Sequence, residues 1–317
     1  MLVFYILLFI VSSFLLAFSG TMVVGSLISI ARHLKWREFV VGFFIMAIAT
    51  SAPNLFVGIN AALRGIPQLS FGDVVGGNVV DLTLAIALAA LVGNGISAES
   101  KMVQTSALFT LLIAVLPILL SLDGKLGQID GLVLILAFLI YAVWLFATED
   151  RFHKVYKKEE KKSKLWKSAS LLVLSIILLI IGSQGVVNSS FFFAKTLGIP
   201  IGMIGILIVG LGNALPEIYF GIVSAKKGES WLVLGDLMGS VINSATLVLG
   251  IVVLICPITI TDFSPYLVAR IFMVISAIFF LIFIRSGKKI TKKEAFFLLG
   301  IYIAFLISEV FLRRLVA

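Results

Sequence analysis

Ala49-Thr50-Ser51-Ala52-Pro53-Asn54 sets a proline, two hydroxyls and a carboxamide inside a long apolar segment, and the chain does so again at Gly212-Asn213-Ala214-Leu215-Pro216-Glu217. Each copy is followed by a second cluster of glycines and polar residues. The first runs Gly72-Asp73-Val74-Val75-Gly76-Gly77-Asn78-Val79-Val80-Asp81, the second Gly235-Asp236-Leu237-Met238-Gly239-Ser240-Val241-Ile242-Asn243-Ser244. Pro53 pairs with Pro216, Asn54 with Glu217, Asp73 with Asp236 and Gly76 with Gly239, all at one offset of 163 residues. A single ungapped offset across four such landmarks marks an internal duplication.

The composition is that of a membrane protein. Hydrophobic residues make up 61% of the 317 and charged residues 13%, with a mean hydropathy of +1.17, well outside the range of soluble domains. Cys256 is the one cysteine, which excludes an internal disulfide or a cysteine metal cluster. His33 and His153 both fall in charged connecting segments, so no histidine is available at membrane depth. Apolar segments of about the 20 residues that cross a bilayer fall at 2–30, 39–62, 69–92, 103–120, 130–148, 168–193, 201–225, 231–256, 266–284 and 291–312. The first of these lacks a preceding basic residue and aligns with the start of the second copy, which identifies it as a permanent helix rather than a secretory signal.

The sequence therefore predicts an all-α polytopic membrane protein of ten transmembrane helices. Residues 1–148 form the first five-helix repeat (motif 47–81), 149–167 a basic linker, and 168–317 the second repeat (motif 210–244). Most of the 25 lysines and arginines fall after spans one, three, five, seven and nine, which places those loops in the cytoplasm and both termini outside. The net charge of +9 is thus a matter of topology, not of nucleic-acid binding. Lys157-Lys158-Glu159-Glu160-Lys161-Lys162 reads as a solvated linker near anionic lipid headgroups. Five spans, an odd number, separate matching points, so the two copies enter the membrane in opposite directions. Inverted repeats of this kind place a substrate site near the bilayer midplane.

Proline in a span frees the carbonyl four residues earlier, here that of Ala49 and of Gly212. Thr50, Ser51 and Asn54 share the helical face beside one freed carbonyl, and Asn213 and Glu217 the face beside the other. Across from them, Asp73 and Asp81 of span three and Asp236, Ser240 and Ser244 of span eight supply further oxygens, with Asn78 and Asn243 as capping or bracing residues. The small Gly76 and Gly239 allow neighbouring helices close approach. Carboxylates, amides, hydroxyls and carbonyls without sulfur or imidazole suit hard cations such as Ca²⁺, Na⁺, Mg²⁺ or Mn²⁺. One aspartate at the bilayer centre costs roughly 2.5–3.5 kcal/mol, so four acids at that depth (Asp73, Asp81, Glu217 and Asp236) require compensating cations or protons. Glu309, near the end of the last span, reads as interfacial. No nucleophile and base, and no Gly-x-Ser-x-Gly elbow, stands in the spans, which speaks against an enzyme.

With these residues in hand, the chain resembles the cation/calcium exchanger superfamily, whose alpha repeat reads approximately G-T-S-x-P-E followed by G-N-x-x-G-S-N-x-x-(N/D). The resemblance extends over the whole chain, including the pairs Asp123-Gly124 and Asp130-Gly131. It implies antiport of Ca²⁺ against Na⁺ or H⁺ through one site exposed alternately to each side, with no cofactor and with inorganic cations and membrane lipid as the partners. On that resemblance the metal-binding set is Glu217, Asn54, Thr50, Ser51, Asn213, Asp81, Asp73, Asp236, Ser240 and Ser244. The chain departs from the pattern at several of these positions. Asn54 replaces a glutamate, Asn213 and Ala214 replace the second hydroxyl pair, Ser244 stands at the final acid or amide position, and Asp73 and Asp236 stand where asparagine is usual. The missing glutamate and serine remove ligands that sodium would use, while the two added aspartates are carboxyl groups taken out of water, which suits them to carry protons. A diverged member moving another cation is the alternative reading.

Overall fold

The structure, a computed structural model, describes residues 1–33, 51–147, 162–260 and 264–316. It is almost entirely helical. The first repeat contains α1 (Leu2–His33), α2 (Ala52–Leu63), α3 (Gln68–Val80), a π-helical turn (Asp81–Ala85), α4 (Ile86–Val92), strand β1 (Ile96–Ser97), α5 (Lys101–Leu120), strand β2 (Lys125–Leu126) and α6 (Gln128–Ala147). The second contains α7 (Lys162–Leu197), α8 (Ile201–Ile204), a π turn (Gly205–Val209), α9 (Gly210–Asn213), α10 (Leu215–Lys226), α11 (Ser230–Asn243), a π turn (Ser244–Val248), α12 (Leu249–Ile255), strand β3 (Ile258–Thr259), α13 (Ser264–Ser286), strand β4 (Lys289–Ile290) and α14 (Lys292–Val316).

Nine stretches among the described residues are long and apolar enough to cross a membrane, and Ala52–Leu63 is a tenth, shorter apolar helix. The expected spans 2–30, 69–92, 103–120 and their successors all fall on helices. Of the span expected at 39–62 only the second half is described, and most of the linker expected at 149–167 lies outside the described residues. The protein is a multi-pass membrane protein.

Two strand pairs record the inverted repeat directly. β1 pairs antiparallel with β4 (Ile96 opposite Ile290), and β2 with β3 (Lys125 opposite Thr259). Ile96 and Thr259 stand one repeat offset apart, as do Leu126 and Lys289, so the two pairs exchange under the internal symmetry. The loops after spans three and nine therefore meet on one face of the bundle and those after spans four and eight on the other, as the basic-residue count requires of inverted halves.

The helices divide into two packed groups. Spans Gln68–Val92 and Ser230–Ile255 lie at the centre, with 78% of the residues in their most apolar stretch buried, against 17% for α1. Their side chains join those of α5, α6, α13 and α14 in one large apolar core that includes Phe71, Leu82, Leu237, Leu249, Phe280 and Phe305. A smaller second core unites α1 and α7 with α2 and the start of the second motif, through Leu16, Val23, Val57, Leu179, Val186 and Ile204. The helices α1 and α7 run against each other closely. Tyr5 stacks on Phe192 with ring centroids 4.0 Å apart, Ser168 donates to Ser29 at 2.8 Å, and a Cβ at Gly185 would fall 1.9 Å from Ser12 Oγ.

Candidate functional site

Both prolines stand in the first turn of a helix, and at Pro216 the helix restarts as the sequence predicts. Pro53 is the second residue of α2 and Pro216 the second of α10, positions where a missing N–H is harmless. Between α9 and α10 the helix breaks at Ala214, and Pro216 has no N–H to return to Gly212. Glu217 consequently sits in the first turn of α10, where the positive end of the helix dipole favours an anion. Asn54 holds the matching place in the first turn of α2, with Ser51 just before it. Ser51, Asn54, Asn213 and Glu217 are all buried. Thr50 and the Ala49 carbonyl lie outside the described residues.

The central spans bring the remaining expected residues against these two helix starts. Asp73, Asp81, Ser240 and Ser244 are each buried, and Asp236 is partly so. The four acids form one electrostatic cluster: Asp81 is within reach of Asp73 and Asp236, and Glu217 within reach of all three. Ser240 stands as a hydrogen-bonding neighbour of Asp81, which joins the two central spans at the acid itself. Among the described residues no three His, Cys, Asp or Glu side chains close on one point. An ion held here would therefore take amide, hydroxyl or carbonyl oxygens beside its carboxylates, the mixed oxygen set of hard cations.

Two further polar contacts join the repeats beside the acids. Asn213 donates to both carboxyl oxygens of Asp73, at 3.1 and 3.0 Å, and Ser244 donates to Asn78 Oδ1 at 2.7 Å. Asn78 is thus a brace, one of the two roles its sequence context allowed. These links require close backbones, and glycine provides them: a Cβ at Gly76 would stand 2.2 Å from the Ile206 carbonyl oxygen.

Other oxygens in the cluster carry no such partner. Glu217 takes its own backbone N–H, but its Oε2 has no hydrogen-bond partner among the described residues, and the same holds for Asp81 Oδ1 and Asp236 Oδ2. Buried acceptors without donors are rare and costly, and here they stand on three helices within electrostatic reach of one another.

Two features escaped the sequence reading. Helix α3 gives way to its π turn at Asp81 and α11 to its own at Ser244, one repeat offset apart. Such turns widen a helix locally and recur at functional sites, yet no residue type encodes them. Arg270 is the second: its side chain is buried, donates to Ser121 Oγ at 3.0 Å and lies 5.6 Å from the centre of the Phe71 ring, two residues from Asp73. Glu309 is a correction of the same kind, for it is buried rather than interfacial.

Comparison with known proteins gives a consistent answer. The family model for the sodium/calcium exchanger protein matches residues 4–147 and 167–311, most of both halves. The sodium/calcium exchanger MaX1 of Methanosarcina acetivorans is 27% identical, with 90% of this chain and 92% of that protein covered. The putative antiporter CaxA of Alkalimonas amylolytica is 28% identical over 92% of this chain and 94% of its own. Among solved structures, the sodium-calcium exchanger NCX_Mj soaked with Na⁺ and Sr²⁺ superposes with a TM-score of 0.69 at 26% identity, covering 97% of this chain and 99% of its own.

Proposed function

The chain belongs to the sodium/calcium exchanger family, and from that premise we propose that it is a secondary-active antiporter exchanging Ca²⁺ for Na⁺ or H⁺ by alternating access at the acid cluster. One observation carries the reading: Glu217, buried in the first turn after a broken helix, keeps a carboxyl oxygen without a donor among the described residues, within electrostatic reach of Asp81 and Asp236. Glu217 and Asp81 together neutralise a divalent ion, while Asn54, Ser51, Thr50 and Ser240 offer neutral oxygens. Asn213 and Ser244 tie Asp73 and Asn78 in place, and Asp236 is the further acid open to an ion or a proton.

The coupling follows from charge. A half-loaded site leaves acids uncompensated in a low-dielectric interior, at roughly 2.5–3.5 kcal/mol each, so the full load and its full replacement are the states that cross. The close packing of α1 on α7 along their length supports their movement as a pair past the other helices. The chain lies in the cell membrane as repeats 1–148 and 168–317 around the linker 149–167, with both termini outside and the basic loops cytoplasmic, on the distribution of lysine and arginine.

Radiolabelled Ca²⁺ uptake into proteoliposomes, driven by an outward Na⁺ gradient in one set and an outward proton gradient in the other, tests the reading. Uptake in the first set alone identifies Na⁺ as the counter-ion, and uptake in the second alone identifies H⁺. Absence of uptake in both, from folded protein, overturns Ca²⁺ exchange. Asn54 in place of the family's glutamate favours a second reading, transport of another cation. On that reading Asn54→Glu raises Ca²⁺ affinity markedly, and an unchanged affinity removes it.

A further inference from the structure

A cavity of about 760 Å³ lies between α1 and α10 and reaches Glu217 and Asp236. Its two ends differ in character. Phe14 and Phe18 of α1 and Leu215 and Tyr219 of α10 line the outer part, and all four are more than half exposed on the apolar surface of the bundle. At the inner end Glu217 is only 3% exposed, and its Oε2 and the Oδ2 of Asp236 lack hydrogen-bond donors among the described residues.

An inorganic ion gains nothing from such a vestibule, because shedding water against phenylalanine and leucine returns no ligand. A lipid tail would suit the mouth but leave both acids uncompensated. A molecule with an apolar body and a cationic head matches both ends. Its body covers the aromatic walls, its charge meets the two carboxyls and the ring faces, and the volume falls in the range of sites for compounds of that size.

We propose that this cavity is a binding site for lipophilic ammonium ions, entered from the membrane side between α1 and α10, and that its occupant competes with the transported cation at Glu217. Binding stands on the cavity alone, whereas the competition rests on the exchange reading above.

The probe is tritiated 4-phenylbutyl-trimethylammonium, bound at equilibrium to the full-length protein in nanodiscs. Saturable binding displaced by Ca²⁺ is the expected result. Tetramethylammonium, stripped of the apolar body at about 0.8 kcal/mol per buried methylene, displaces the probe at least about tenfold more weakly. The uncharged isostere 5,5-dimethylhexylbenzene does not displace it. Glu217→Gln weakens the probe by at least about tenfold. Ala17→Trp, which fills the cavity from α1, does the same while Ca²⁺ binding persists. Should that variant fail to fold, Phe18→Ala at the mouth takes its place, with a loss of several-fold.

Equal displacement by the uncharged isostere overturns the proposal in favour of a lipid tail. Equal potency of tetramethylammonium overturns it in favour of an aqueous route, and indifference to both cavity variants overturns the location. Probe binding that Ca²⁺ fails to displace overturns the competition. Because binding is measured without transport, a protein that takes up Ca²⁺ but ignores the probe refutes this inference alone. One that binds the probe but moves no Ca²⁺ refutes the exchange reading alone.

Discussion

Asp73 and Asp236 hold equivalent places in the two repeats, yet Asn213 donates to both oxygens of Asp73 while Oδ2 of Asp236 has no hydrogen-bond partner among the described residues and Asp236 lines the lateral cavity. The same motif has been folded into two different surroundings. Around Asp73 the first repeat is clamped onto the second by Gly76 against Ile206 and by the Ser244 to Asn78 bond. Around Asp236 and Glu217 the polar groups are left short of donors, and α1, the least buried of the long helices, forms the neighbouring wall. A duplicated acid is thus a brace where its amide partner reaches it, and a group open to a cation where none does.

Five substitutions sharpen or break that contrast. The largest effect is expected at the open end, where Glu217→Gln removes one carboxylate from the ion at about 2–5 kcal/mol. Ca²⁺ uptake is then lost while the melting temperature in detergent holds; normal uptake by the variant removes Glu217 from the site. At the clamped end the effect reverses, because Gly76→Ala puts a Cβ 2.2 Å from a main-chain oxygen that no rotamer change relieves. A stability loss of about 1–3 kcal/mol or more, read as early loss of the monodisperse peak on heating, is the expected outcome. A wild-type melting curve would show that the helices are not in contact there.

Asn213→Ala strips Asp73 of its donors, and leaving a buried acceptor unpaired costs about 1–3 kcal/mol. Asp236→Asn, compared side by side, should leave melting nearly unchanged and alter the Ca²⁺ dependence of uptake; identical behaviour of the two variants would erase the distinction between the repeats. Smallest is Ser244→Ala, which deletes the bond to Asn78 for about 1 kcal/mol. A double-mutant cycle with Asn78→Ala should show coupling of that size, and additive losses would mean that the bond is not made.

Much of this was legible in the sequence because it depends on residues close together in the chain. Pro216 breaks its helix because proline lacks the N–H, and Glu217 could be placed after the break from spacing alone. The π turns at Asp81 and Ser244 were not legible, because an added residue in the helical ladder has no composition of its own. The burial of Glu309 and the partners of Arg270 were not legible for a related reason: depth along a span can be counted, but which side of the helix is covered by a neighbour cannot.

The sequence by itself determined a duplicated, inverted bundle of membrane helices carrying hard oxygen ligands. Hydropathy and a constant offset are properties of order along the chain, and a bilayer leaves helices as the solution for apolar segments of that length. Tertiary structure alone decided which acids are braced and which stay open. Asn213 lies 140 residues from Asp73, and whether a buried carboxyl is satisfied depends on what crosses its helix, not on what precedes it.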